Sequence, residues 1–314
     1  VVMPNSPVKA IPASPRAQAA AHKRKLGHAF LGMIDAVIVD GPVEYAFDGA
    51  IGSDDAIAVW TWMVRDLGPD LIDVEALDDS ARNVAALESL MPDLLARARK
   101  ALTDSETSVE IRRRTQMQLG GDEIWERLPV VLNALRCRGL LEKAQGFGRA
   151  ANAMTDEAQL ALALQSMPLN DPAVAALLLH AAVGQVAAPS RLVTAAIRIA
   201  GSASEAALLR AGFSPMIDAM LAHAQNQSAP LIQVGTFADM DLVCRAVDRF
   251  HRLMRAVTGY VELNRSGRWA TISSALTKTV SERREPKLRD VGPDLNKARR
   301  KGEGTDRLDQ DQVL

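Results

Sequence analysis

At 314 residues and 33.8 kDa the chain has room for about two domains, and 48% hydrophobic residues exclude disorder throughout. Lys plus Arg (37) balances Asp plus Glu (38), which excludes a chain that is basic or acidic as a whole. Two cysteines, Cys137 and Cys244, are too few for a disulfide-stapled secreted scaffold, and 4% aromatics argue against base-stacking platforms and aromatic cages.

Residues 1–16 carry Pro4, Pro7, Pro12 and Pro15 among small neighbours and are expected to form a disordered arm. A helical domain is expected over 17–270. Leu26, Phe30, Met33 and Val37 recur at helical spacing until Gly41-Pro42. The run Leu26 to Val39 is interrupted by His28 and Asp35, whereas a bilayer span takes about 20 apolar residues. No small-residue cleavage site follows it. We therefore expect no membrane span and a cytoplasmic protein with reduced thiols. Its Arg-over-Lys, Ala-rich composition fits a bacterial, GC-rich genome.

A second helix is predicted from Asp54 or Asp55 to Leu67, ended by Gly68-Pro69. Ala56, Val59, Trp60, Met63, Val64 and Leu67 share one face, and Trp62 points the opposite way, which makes it a candidate interface residue. The run Val59 to Val64 also has strand-like composition. Residues 35–110 hold 17 acids against five bases, an acidic segment whose pairs Asp54-Asp55 and Asp78-Asp79 stand at helix starts, where negative charge meets the dipole.

The middle of the chain is predicted as helix after helix. Thr103 and Glu106 have capping-box spacing ahead of a helix through Met117. Gly120-Gly121 breaks it and Asp122 to Cys137 resumes. Further helices open at Thr155-Asp156-Glu157, Asn170-Asp171-Pro172, Ser190, Ser204 and Ser214-Pro215, and a long amphipathic one covers 238–260. Beyond 270 a helical end gives way, after Pro286, to a charged tail expected to be disordered. Pro92, Pro129, Pro172 and Pro215 each precede an apolar run at intervals near 40 residues, a spacing typical of stacked helical repeats over 92–230.

Two stretches carry a family resemblance. Asn170-Asp171-Pro172-Ala173-Val174 and the Ala-Leu-rich run to Gly184 resemble the opening helix of a HEAT repeat. Ala195-Ala196-Ile197-Arg198-Ile199-Ala200-Gly201 and Ala211-Gly212-Phe213-Ser214-Pro215-Met216-Ile217 resemble an armadillo repeat around its small-Gly-x-x-Pro turn. The resemblance covers residues 170–220 and implies an all-α, solenoid-like stack of helices with a partner-binding surface. Peptide-binding armadillo repeats carry Trp and Asn on the third helix, where this chain has Thr194 and Arg198, so that mode of peptide binding does not carry over.

No catalytic, cofactor-binding or metal-ligating constellation stands out. Gly146-Phe147-Gly148-Arg149-Ala150-Ala151 fits G-x-G-x-x-A but follows a helical pattern rather than the strand a dinucleotide site needs. His180, in a helix apolar almost all round, is expected to be a buried histidine bonded to a neighbouring carbonyl. Arg112-Arg113-Arg114, with Glu106 and Glu110 close by, is expected to be a solvated face. Residues 245–314 hold 16 bases against ten acids. Arg245, Arg249, Arg252 and Arg255 line one side of the 238–260 helix, Arg268 follows, and Asp248 interrupts the row. With Trp62, these arginines are the candidate partner-binding residues. The leading expectation is a non-enzymatic protein-interaction or scaffold protein. The second is a nucleic-acid-associated protein using the arginine stripe, and the third an enzyme with a carboxylate site that sequence order does not reveal.

Overall fold

The computed structural model describes residues 30–39, 47–71, 81–232, 240–260, 262–263 and 267–282. Among them the fold is all-α, and the single sheet is a parallel pairing of two residues with two, β1 (Ile38–Val39) with β2 (Ile51–Gly52). The proline-rich arm, Gly41-Pro42, Asp78-Asp79 and the charged tail lie outside the described residues, whereas 268–282 is helical. None of the described helices is long and apolar enough to cross a membrane.

The chain divides into two compact units. The first contains Ala56–Trp125 and the described residues before Ile34. Residues 30–34 are helical, but Asp35–Val37 tightens into a 3-10 turn and Ile38–Val39 pairs as a strand, so the predicted stripe stops short of Val37. The β-branched run Val37-Ile38-Val39 favours that extension. Helix α1 (Ser53–Trp62) begins with Asp54 and Asp55 in its first turn, as the dipole favours, and widens into a π turn at Met63–Leu67 before Gly68. No strand forms at Val59 to Val64. Phe30 stacks on Trp60 with ring centroids 4.6 Å apart. Helix α2 (Ala81–Thr107) buries Leu87, Met91, Leu94 and Ala98, and α3 (Val109–Leu119) packs back on it.

Thr103 does not cap α3, because α2 runs through it to Thr107. Ser108 does, in extended conformation, its side chain accepting from the Ile111 amide at 3.4 Å. Pro92 and Pro129 likewise do not open helices: they lie inside α2 and inside α4 (Asp122–Arg136). Pro172 does stand in the first turn of its helix, and Pro215 follows the opening Ser214 of its own. Only half of the proline series therefore marks helix starts.

The second unit contains Ile34–Asp55 and the described chain from Glu126 onward. Its helices are the remainder of α4, α5 (Arg138–Ala151), α6 (Glu157–Gln165), α7 (Pro172–Gln185), α8 (Pro189–Ala200), the short α9 (Glu205–Arg210), α10 (Ser214–Ile232), α11 (Met240–Thr258) and α12 (268–282). Asp156, Asp171 and Ser204 cap α6, α7 and α9 with their side chains, and Gly201, at φ 75°, ends α8 in the left-handed region. Alternate helices pack together: α5 on α7 and α7 on α10, α6 on α8 and α8 on α11, with α10 also against α11. Every residue of α7 from Val174 to Val183 is buried, as an all-round apolar helix requires.

Gly148 accounts for the close approach of α5 to α7. A Cβ there would collide with the Ala182 carbonyl oxygen, whereas one at Gly146 would meet nothing within 4 Å. The G-x-G-x-x-A run is therefore a helix-packing feature, inside α5. Gly148→Ala should cost about 1–3 kcal/mol by overpacking. Gly146→Ala should gain about 0.5–1 kcal/mol from helix propensity. Urea unfolding midpoints check both, and equal midpoints for the two variants would contradict this account of the α5–α7 contact.

Candidate functional site

The second unit opens a cleft of about 510 Å³ where the N-terminal ends of α7 and α10 meet α4. Small residues make the space: Pro172, Ala173, Ala175 and Ala176 on α7 leave the wall thin, and Gly212, Ser214 and Pro215 form the entry to α10. Gly49, at φ 79°, lays its backbone on the Ala176 carbonyl too closely for any side chain. Phe47, Val130, Leu169 and Leu209 supply apolar surface, and Asp48, Arg127, Asn133 and Ser214 are the polar side chains of the lining. Asp171 satisfies the first amides of α7, accepting from Ala173 N at 3.0 Å. Such a mostly apolar hollow with a few convergent polar groups suits an apolar segment anchored at one or two points.

The arginine stripe of α11 divides. Arg245 and Arg255 are exposed. Arg249 is part-buried and turned inward, donating from Nη2 to the Val183 carbonyl at 2.6 Å and from Nη1 to the Val186 carbonyl. Burial lowers its pKa from the ordinary arginine value, with neighbouring Arg252 adding to the shift. Arg252 pairs with Asp248 at 2.9 Å and reaches the Ala187 carbonyl at 3.3 Å. Asn152, the residue that follows α5, donates Nδ2 to Gln185 O at 2.9 Å and accepts at Oδ1 from Ala187 N at 2.7 Å. The C-terminal end of α7 is thus clamped from two sides. An orphan carbonyl cluster at the end of a buried helix needs such donors.

Arg268 pairs with buried Asp218 at 3.0 Å, and Trp269 Nε1 donates to the other carboxylate oxygen at 2.8 Å. Burial raises the Asp218 pKa against the opposing pull of Arg268. Trp62 is 1% exposed and offers nothing to an external partner. The structure therefore does not bring the six candidate residues together: Arg249, Arg252 and Arg268 make internal contacts, Trp62 is core, and Arg245 and Arg255 remain at the surface.

His180 is fully buried, but among the described residues its ring finds no carbonyl and neither ring nitrogen has a hydrogen-bond partner; the ring stacks on His223 with centroids 4.2 Å apart. His180 contributes its backbone carbonyl instead, 3.0 Å from His223 Nε2. A carbonyl only accepts, so Nε2 of His223 carries the proton. Burial pushes His180 well below the usual histidine range, and His223 adds to the shift. His223 is pushed down to about 4, by burial first, with Arg249 contributing.

The cleft, Asn152 and His223 escape sequence reading. Each depends on residues 30 or more apart in the chain, and no local pattern flags them. Compared with protein-family models, curated proteins and solved structures, the chain has no significant match in any of the three.

The histidine pair sets a pH dependence. Above about 6.5 both rings are neutral in the folded and unfolded chain alike. Between there and about 4 the unfolded chain takes up protons that folded His180 and His223 refuse. Stability should fall as pH drops, on the order of 1 kcal/mol per pH unit per histidine. Urea midpoints at pH 7, 6 and 5 measure it. His180→Leu should remove about half of the slope, and a slope equal to wild type would refute this origin.

Proposed function

We propose that the protein is a non-enzymatic interaction or scaffold protein, a stack of helical pairs of the HEAT/armadillo kind, which takes an apolar segment of a partner into the cleft at α7 and α10. The observation carrying this is the alternate packing of the second unit. One row runs α5, α7, α10 and the other α6, α8, α11, with the short α9 placed before α10 as the first short helix of an armadillo repeat would be. Stacked units of this sort leave an extended flank for partners, and the cleft opens at the helix ends of one row. Two free cysteines, Cys137 buried and Cys244 exposed, fit a reducing, cytoplasmic setting. The nucleic-acid reading loses support, because Arg249 and Arg252 are engaged with backbone carbonyls.

Ala173 is exposed and lines the cleft. Ala173→Trp should fill the cleft and leave the melting temperature within about 2 °C of wild type. Quantitative affinity purification from the native host should recover a stoichiometric protein with wild type and at least about tenfold less with the variant. Equal recovery with both would rule out the cleft. Robust small-molecule turnover by the purified chain would overturn the scaffold assignment itself.

A further inference from the structure

A second surface stands out in the first unit and is independent of the cleft. Helix α3 rests on α2 through Thr115 and Leu119, its two buried residues, and the rest of it is exposed or half-exposed. Five large hydrophobic side chains are exposed among the described residues, and three of them lie on this eleven-residue helix: Val109 (85%), Ile111 (41%) and Met117 (74%). The other two, Leu162 and Leu209, stand singly on α6 and α9. At 100° per residue Val109, Arg113 and Met117 form one row pointing away from α2, flanked by Glu110 and Arg114. Val109 and Met117, two turns apart on the bare side of the helix with Arg113 between them, give that side a mixed apolar and cationic character.

The charges of this face are unbalanced. Arg65, Arg113 and Arg114 rim a shallow hollow of about 580 Å³, with Glu110 as the one carboxylate in its lining. Arg65 is already committed, to Asp66 at 2.9 Å and to the Gln118 carbonyl at 3.3 Å. Arg113 and Arg114 are exposed, as a solvated face would be, and make no ion pair with any described residue. Arg112 lies apart, its guanidinium 5.8 Å from the Trp125 ring centroid.

We infer that the outward face of α3 docks an acidic, amphipathic peptide segment of another protein. Carboxylates of that segment meet the guanidinium forks of Arg113 and Arg114, and its aliphatic side chains cover Val109 and Met117. Arginine forks match carboxylates bidentately, and methionine adapts to varied apolar partners. The row from Val109 to Met117 is about 12 Å long, which is the reach of roughly two turns of a partner helix. A nucleic acid fits less well: its phosphates would engage the arginines, but Val109 and Met117 would be left uncovered, and no aromatic ring is among the described residues lining the hollow to stack on a base.

The probe is a phage-displayed library of random dodecapeptides selected on the full chain, with enriched sequences synthesised and titrated by fluorescence anisotropy. Enriched peptides should combine Asp or Glu with an aliphatic residue one turn away. Their affinity should fall about tenfold with Arg113→Glu and about tenfold with Met117→Asp, and should weaken on raising salt from 0.05 to 0.3 M. Both substitutions are at exposed positions, and an unchanged melting curve shows that they leave the fold intact. Absence of enrichment, enrichment of peptides without acidic residues, or equal binding to the variants would each overturn the inference. A 20-nucleotide single strand that binds, is lost with Arg113→Glu and ignores Met117→Asp would replace the peptide with nucleic acid. Concentration-dependent self-association in sedimentation, abolished by Met117→Asp, would instead assign the face to a second copy of the chain.

Discussion

The second unit is organised by one constraint: α7 has no polar side to turn outward. From Val174 to Val183 every side chain is buried, and His180 is the lone polar group among them. A helix of that composition is stable only when neighbours cover it all round. Helices α5 and α10 supply part of that cover, Gly148 lets α5 approach to backbone distance, and Gly49 places the 47–50 turn on its N-terminal half. The cleft exists where this cover ends, at the alanines of the first two turns.

Covering a helix creates a second demand at its end. The last turn of α7 has carbonyls left over by the helix ladder, Val183 being reached by the capping Val186 amide at 3.3 Å, and water cannot reach a buried terminus freely. Arg249 on α11 and Asn152, just after α5, meet that demand at Val183 and Gln185, and Arg252 reaches the Ala187 carbonyl beyond them. A part-buried guanidinium that spends its donors on carbonyls, with no carboxylate bonded to it among the described residues, costs desolvation. The return is a satisfied helix end and a fixed angle between α7 and α11. The same pressure from burial holds the His180–His223 stack neutral.

Local signals in the chain are reliable where the physics is local. Asp156, Asp171 and Ser204 declare helix starts by their capping chemistry, Gly120 and Gly201 declare ends, and the all-round apolar run after Pro172 declares a central helix. The same logic fails when tertiary contact outweighs it. Pro92 and Pro129 have the look of helix openings but sit mid-helix, where packing of the surrounding turns offsets the missing amide. Trp62 points away from the apolar face of α1 and is buried all the same. The arginines of α11 form a stripe in sequence, but which of them face water depends on the end of α7, some 65 residues away. An amphipathic pattern distinguishes polar from apolar sides and is silent on what the polar side touches.

The order of segments in the second unit bears on how the chain is made. Ile34–Asp55 belongs to that unit, the whole of Ala56–Trp125 intervenes, and the unit resumes at Glu126. A ribosome therefore delivers the edge strand and the turn at Gly49 long before their support on α7 exists. The arginine donors at the end of α7 emerge later still, with α11. Until then the nascent product carries an uncapped greasy rod and an unsupported glycine turn, the sort of intermediate that chaperones bind and that truncated chains would leave permanently exposed.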